Sequence, residues 1–216
     1  MERRTLDILF SSGGLLLAGL LLVIGFVLTS NANVAKTSVR EQLGQQDITF
    51  PAVDQLTAEE RQAECLVRYA GDRLTTGKQA ECYANHYLSL QLKSIADGQT
   101  YADLGEPQTQ LRAQVAQAAQ NNDPALADLQ EQLAEVTAQR ETILKGETLR
   151  GLLLTSYGLS ELGTKAEHGA TVAYLAAGLL ALLATAGLGH AFVTSATRRL
   201  AVPEPAREPE DAESRG

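Results

Sequence analysis

The chain has 216 residues, 44% of them hydrophobic, with a formal net charge of −8, two cysteines, three histidines and no tryptophan. That acidic balance leaves no electrostatic reason to bind nucleic acid, which needs an excess of Lys and Arg on the binding face. Its three histidines, at His86, His168 and His190, are too far apart in sequence to suggest one metal centre.

Residues 8–28 form a first long apolar run without Asp, Glu, Lys or Arg, behind Arg3 and Arg4. At 1.5 Å per residue it makes about 31 Å of helix, against roughly 30 Å of bilayer hydrocarbon. A cleaved signal peptide is the competing reading, because Ser30-Asn31-Ala32 offers a small-x-small site. The run is longer than the roughly 7–15 apolar residues of a signal peptide. Residues 8–29 are therefore expected to stay as a transmembrane helix, after a cytoplasmic stretch of residues 1–7. Ser11, Gly14, Ala18 and Gly25 fall on one of its faces. The helix is expected to continue through Val39 and Leu43 to Gly44, a natural stop.

Only residues 45–53 read as extended, with Asp47-Ile48-Thr49-Phe50 leading to Pro51. Thr57-Ala58-Glu59-Glu60 then reads as a capping box that opens a helix ending near Gly71. A weaker box, Thr76-Gly77-Lys78-Gln79, starts a helix to about Ala96, closed by Asp97-Gly98. Tyr83, His86 or Tyr87, and Leu90 mark its inward face. A third helix is expected over residues 108–120, with Leu111, Val115 and Ala118 on one side. Asn121-Asn122-Asp123-Pro124 breaks it, with Asp123 as cap and Pro124 as first residue of the next helix. From there Leu126, Leu129, Leu133, Val136 and Ile143 trace a heptad seam interrupted only at Arg140, which predicts an antiparallel coiled-coil hairpin. Residues 149–162 continue that helix as the floor of a helical core, with a kink expected at Gly158 or Gly163.

Residues 169–193 make the second apolar run, in which His190 is the one ionisable side chain; Arg198 and Arg199 follow. Gly169, Ala173, Ala177, Ala181, Thr185 and Gly189 recur every four residues. Small residues let helices approach closely in lipid. Gly14, Ala18, Gly169, Ala173, Ala177 and Ala181 are therefore candidate helix-packing residues, either between the spans or between copies. Neither span carries the buried acid, base or proline break of an ion or substrate pathway. The arginine pairs outside both spans predict cytoplasmic termini. Residues 169–194 are then the second transmembrane helix, and 195–216, rich in Pro and Glu, a disordered cytoplasmic tail. Residues 30–168 become one extracytoplasmic domain with 12 Lys and Arg against 19 Asp and Glu, a net of −7. A domain so acidic has no general attraction to an anionic lipid surface.

Cys65 and Cys82 stand equally far from a turn centred between residues 73 and 74, so on antiparallel helices they lie level with each other. In an exported domain a disulfide is the leading reading, stabilising by roughly 3 kcal/mol through loop closure. The alternative is a metal site: Cys82 and His86 share a face at i and i+4, and Cys65 offers a third ligand, a set suited to zinc or copper. No nucleophile elbow, Walker loop, dinucleotide fingerprint or HExxH helix is present in the sequence. Paired carboxylates such as Glu59-Glu60 and Glu131 with Glu135 read as a cap and as solvated helix faces.

Leu74-Thr75-Thr76-Gly77-Lys78-Gln79-Ala80, then Tyr101-Ala102, then Gly146-Glu147-Thr148-Leu149-Arg150-Gly151-Leu152-Leu153-Leu154, together with the opening Met1-Glu2-Arg3-Arg4-Thr5, carry a resemblance across most of the chain. The sequence resembles a group of uncharacterised actinobacterial two-span membrane proteins sharing LTTG-x-QA and GETLRGLLL segments. Members often carry the name aromatic ring-opening dioxygenase, a chemistry that needs clustered iron ligands not supplied by these residues. The cysteine pair and the insertion around residues 121–124 depart from the group's pattern. What the resemblance implies is the two-span topology.

The expected fold is mainly α: two transmembrane helices flanking an exported helical bundle or hairpin domain. The expected function is non-catalytic, a scaffold or accessory subunit without cofactor, whose partners are membrane lipid and either another protein or a second copy. The alternative is an extracytoplasmic ligand- or metal-binding sensor. Its site would be Cys65, Cys82, His86 and Tyr83, or an apolar pocket under residues 149–157.

Overall fold

A computed structural model describes the backbone of residues 3–193 and the side chains from Thr5 onward. Arg198, Arg199, residue 194, the 195–216 tail and the side chains of Arg3 and Arg4 lie outside the described residues. Within them the α-helices are α1 (Arg3–Gln45), α2 (Glu64–Arg68), α3 (Gly77–Cys82), α4 (Ser89–Ile95), α5 (Gly105–Asn121) and α6 (Leu126–Val193). Two of these, α1 and α6, are long and apolar enough to cross a membrane. The chain divides into two compact units, one of Met1–Leu28 with Gly169–Gly216 and the other of Thr29–His168.

In the first unit α1 and α6 run antiparallel. A β-carbon on Gly14 would sit 3.3 Å from Ala184, and one on Gly187 would sit 2.4 Å from the Ser11 hydroxyl. Ser11 and Ala18 are buried on α1, as are Ala170, Ala173, Ala177, Ala184 and Ala191 on α6. The large side chains point the other way: Phe10 is 77% exposed, Leu16 78% and Leu182 71%. Small residues inside and large apolar ones outside reverse the pattern of helices in water, and suit helices whose surroundings are hydrocarbon. Ala170, Ala177, Ala184 and Ala191 are buried at seven-residue steps with Ala173 between them, so the expected four-residue stripe holds at Ala173 and Ala177 and then drifts off the covered face. A repeat of seven averages 3.5 residues per turn and stays on one supercoiled face, whereas a repeat of four drifts off it. Thus Ala177 is buried, Ala181 is half-buried, and Thr185 and Gly189 are exposed.

The second unit is built around Val39 and Leu43 of α1, Phe50, Leu56, Leu66, Leu74, Ala80, Cys82, Ala84, and Leu153 of α6. Leu149 and Leu154 pack against this cluster, so the 149–154 segment is a core floor. The expected extended stretch contributes one isolated antiparallel bridge, Thr49 to Arg73. Around it the Leu74 N–H donates to Ile48 O at 2.8 Å and the Phe50 N–H to Asp72 O at 2.9 Å.

The helix expected from Thr57 to near Gly71 is broken. Both capping-box bonds form: the Thr57 N–H donates to Glu60 Oε2 at 2.7 Å, and the Glu60 N–H to Thr57 Oγ1 at 3.2 Å. What they cap is one 3-10 turn, Glu60–Gln62, because Ala63 is extended (φ −81, ψ 100) and the chain restarts as α2. Leu56, Glu60 and Leu66 are all buried by this route. Thr76 caps α3 with a complete box to Gln79. The helix then runs to Ile95, but through a π-helical segment at Tyr83–Leu88 where regular α-helix was expected. Gly77 lies so close to α6 that a β-carbon would stand 2.4 Å from Ser160 Cβ and 3.3 Å from Tyr157 Cα.

Asn122, left-handed at φ 50, ends α5, and Asp123 Oδ1 accepts the Ala125 N–H at 2.8 Å before α6 begins. The hairpin is antiparallel, since Gln108 Nε2 donates to Thr137 Oγ1 at 2.8 Å. Arg140, which breaks the seam, stacks 4.0 Å from the Tyr101 ring centre and donates to Gln108 Oε1 at 2.6 Å. Ala96, Leu104 and Ile143 form a second small core beside it. The α5 helix starts at Gly105, before the expected residue 108, and α6 is unbroken at Gly158 and Gly163.

Candidate functional site

The residues singled out from sequence meet at the junction of α2 and α3. Cys65 and Cys82 are disulfide-bonded, with Cα atoms 6.1 Å apart. Cys82 is buried at 1% exposure, and His86 is exposed. A bonded pair has no thiolate to offer a metal. Among the described residues no group of three or more His, Cys, Asp or Glu side chains gathers as a ligand set. The π segment instead turns Tyr83 and Tyr87 to the core, their rings 4.9 Å apart, and Tyr83 meets Phe50 edge-on at 5.3 Å. Phe50 also contacts Tyr69 at 5.6 Å. Burial raises both Tyr83 and Tyr87 above the ordinary phenol range, so they stay neutral.

Beside the aromatic rings lies Glu60, buried at 2% exposure. Burial alone would push its carboxyl upward. Hydrogen bonds from Thr57 and Gln91 outweigh that and hold it below the usual carboxylate range. The Gln91 amide donates to Oε1 at 2.8 Å. This is a satisfied structural carboxylate that ties the Thr57 turn to α4, without an open face for a substrate.

Several clefts open on the Thr29–His168 unit, and two of them draw their lining from three separate parts of the chain. One, of about 600 Å³, lies among Leu92, Lys93, Tyr101, Ile143 and Glu147, between α4, the loop before α5, and α6. The other, of about 340 Å³, is lined by Asn33, Lys36, Thr37, Val39 and Arg40 of α1, by Thr75, Thr76 and Gly77, and by Ser160 of α6. Where an apolar pocket was expected, beneath residues 149–157, Leu153 is buried in the core and Leu149 and Leu154 pack against it. No protein-family model matches this chain, nor does any curated protein or solved structure match it significantly.

Of the helix-packing candidates, Ala18, Ala173 and Ala177 are buried, Gly14 faces Ala184, Gly169 is exposed yet lies against Leu28, and Ala181 is half-buried. Sequence reasoning missed both clefts. Lys36 and Arg40 were legible as an i, i+4 pair on one helix face. Ser160 and Thr75 reach that face only through the fold. Also missed was the outer side of α6, where Leu144 (47% exposed), Leu152 (62%), Leu159 (39%) and Leu162 (65%) lie within a quarter-turn arc.

Proposed function

We propose that this chain is an integral membrane protein whose central helical unit is exported, and that it acts through protein contacts as a scaffold or accessory subunit of an envelope assembly. Two apolar helices and a disulfide-bonded cysteine pair support the membrane and oxidising-compartment parts of this reading. The resemblance to actinobacterial two-span proteins agrees with the topology.

The observation that carries the contact function is the exposed leucine face of α6. Its inner side, at Leu149 and Leu153, is committed to the core, while Leu144, Leu152, Leu159 and Leu162 remain outside. Exposed leucines that recur on one helix face, here with the exposed Thr148 and Thr155 between them, suit a protein partner. The framework behind it is braced by the disulfide, by two capping boxes and by Glu60. Such bracing holds a docking face in one shape.

The test is affinity purification of the full chain from its own membranes, compared with Leu152→Lys and Leu162→Lys together. A partner recovered with the wild type and lost from the variant is the expected result. An identical set of co-purifying proteins with both would refute the reading. The roughly 600 Å³ cleft at Leu92, Tyr101 and Ile143 favours the alternative, a ligand-binding sensor. A small molecule retained by both chains in the same purification would support it.

A further inference from the structure

We propose that the cleft between α1, the Thr75–Thr76 turn and Ser160 of α6 binds a phosphate group. The proposal stands independently of the protein-contact reading. The cleft holds about 340 Å³, at the lower end of ligand-site volumes. Two cations, Lys36 and Arg40, line it one helical turn apart. No carboxylate stands among its described lining residues, although the surrounding unit carries a net charge of −7.

The donors differ in how far they are already used. Lys36 pairs with Glu167 at the edge of the cleft. Thr75 and Thr76 direct their hydroxyls to Gln79 Oε1. Arg40 is exposed and its guanidinium makes no hydrogen bond or ion pair among the described residues, and the hydroxyls of Thr37 and Ser160 and the amide of Asn33 are likewise uncommitted. A planar guanidinium with two-pronged donors, beside hydroxyl and amide donors from other directions, matches the several acceptor oxygens of a phosphate better than a single flat carboxylate. Both a phospholipid headgroup and free phosphate present that chemistry. Because Asn33, Lys36 and Arg40 follow closely in sequence on the apolar run ending at Leu28, a headgroup is one natural source.

The experiment uses the full chain in neutral detergent, stripped of lipid. Inorganic phosphate is titrated at constant ionic strength and followed by thermal stability. In a second arm, short-chain phosphatidylglycerol or phosphatidylcholine is added and retention is read by native mass spectrometry. Arg40→Gln, Ser160→Ala and the remote control Arg112→Gln are run beside the wild type. The expected result is saturable binding of at least one probe, weakened about tenfold or more by Arg40→Gln, less by Ser160→Ala, and unchanged by Arg112→Gln. A response to inorganic phosphate alone identifies free phosphate as the source, and preferential retention of either phospholipid identifies the headgroup. No saturable binding of either probe, or equal losses in Arg40→Gln and Arg112→Gln, would overturn the site. Ser160→Ala keeps the β-carbon that packs on Gly77, so it remains informative if Arg40→Gln folds poorly.

Discussion

Glu60 is the residue whose placement most departs from its ordinary reading. In sequence it is the fourth position of a capping box, a solvent-facing role, and it does accept the Thr57 N–H. Its burial and its bond from Gln91 come from a segment thirty-one residues away and were not legible locally. The hydrogen bonds hold its folded-state carboxyl below the usual carboxylate range. A carboxyl depressed on folding contributes stability above its unfolded pKa, and loses it as pH falls through the lower, folded value. We therefore expect Glu60→Gln to lower stability near neutrality by about 1–3 kcal/mol, the worth of one charge-assisted bond. The deficit should shrink as pH is taken well below the usual carboxylate range, where wild-type Glu60 is itself protonated. Thermal unfolding of both proteins across that range measures it, and a deficit independent of pH would contradict the assignment. The cysteines, by contrast, were readable as a pair, because equal distance from one turn is a property of index numbers alone.

Among elements, α1 and α6 teach the most about period. On α6 the small residues at every fourth position drift off the covered face while those at every seventh keep to it; on α1 the buried Ser11, Ala18 and Gly25 lie on the face already marked in the sequence. The difference arises from the partner. A lone straight helix has 3.6 residues per turn, whereas two packed helices supercoil to keep a 3.5-residue seam in contact. Gly25 shows how close that contact is, since a β-carbon there would lie 2.7 Å from the Tyr174 ring. Gly14→Cys combined with Ala184→Cys should cross-link within one chain on mild oxidation, as their β-carbons fall close to disulfide spacing. Leu16→Cys with Leu182→Cys, both directed outward, should not. Gel mobility after proteolysis between the helices reads the result, and cross-linking of the outward pair alone would exclude this packing. The Thr57 helix failed for a related reason: a cap signals where a helix can begin, but how far it runs is decided by what its residues can bury.

For the whole molecule, the proposed topology places both termini in the cytoplasm and the Thr29–His168 unit outside. An epitope inserted in the Asn122–Asp123 turn should be reached by antibody added to intact spheroplasts, while tags on either terminus should be reached only after lysis. Terminal tags accessible from outside would invert the proposal. Helical class, two membrane-length helices and the cysteine pairing were all determined by the sequence itself, because each depends on local spacing or on the length of an apolar run. The tertiary structure alone decided which small residues of α6 are covered, the burial of Glu60, the outward leucines of α6, and the meeting of Lys36 and Arg40 with Ser160 in one cleft. Each of these depends on which distant surface a side chain meets, and an amphipathic period names a face without naming what covers it.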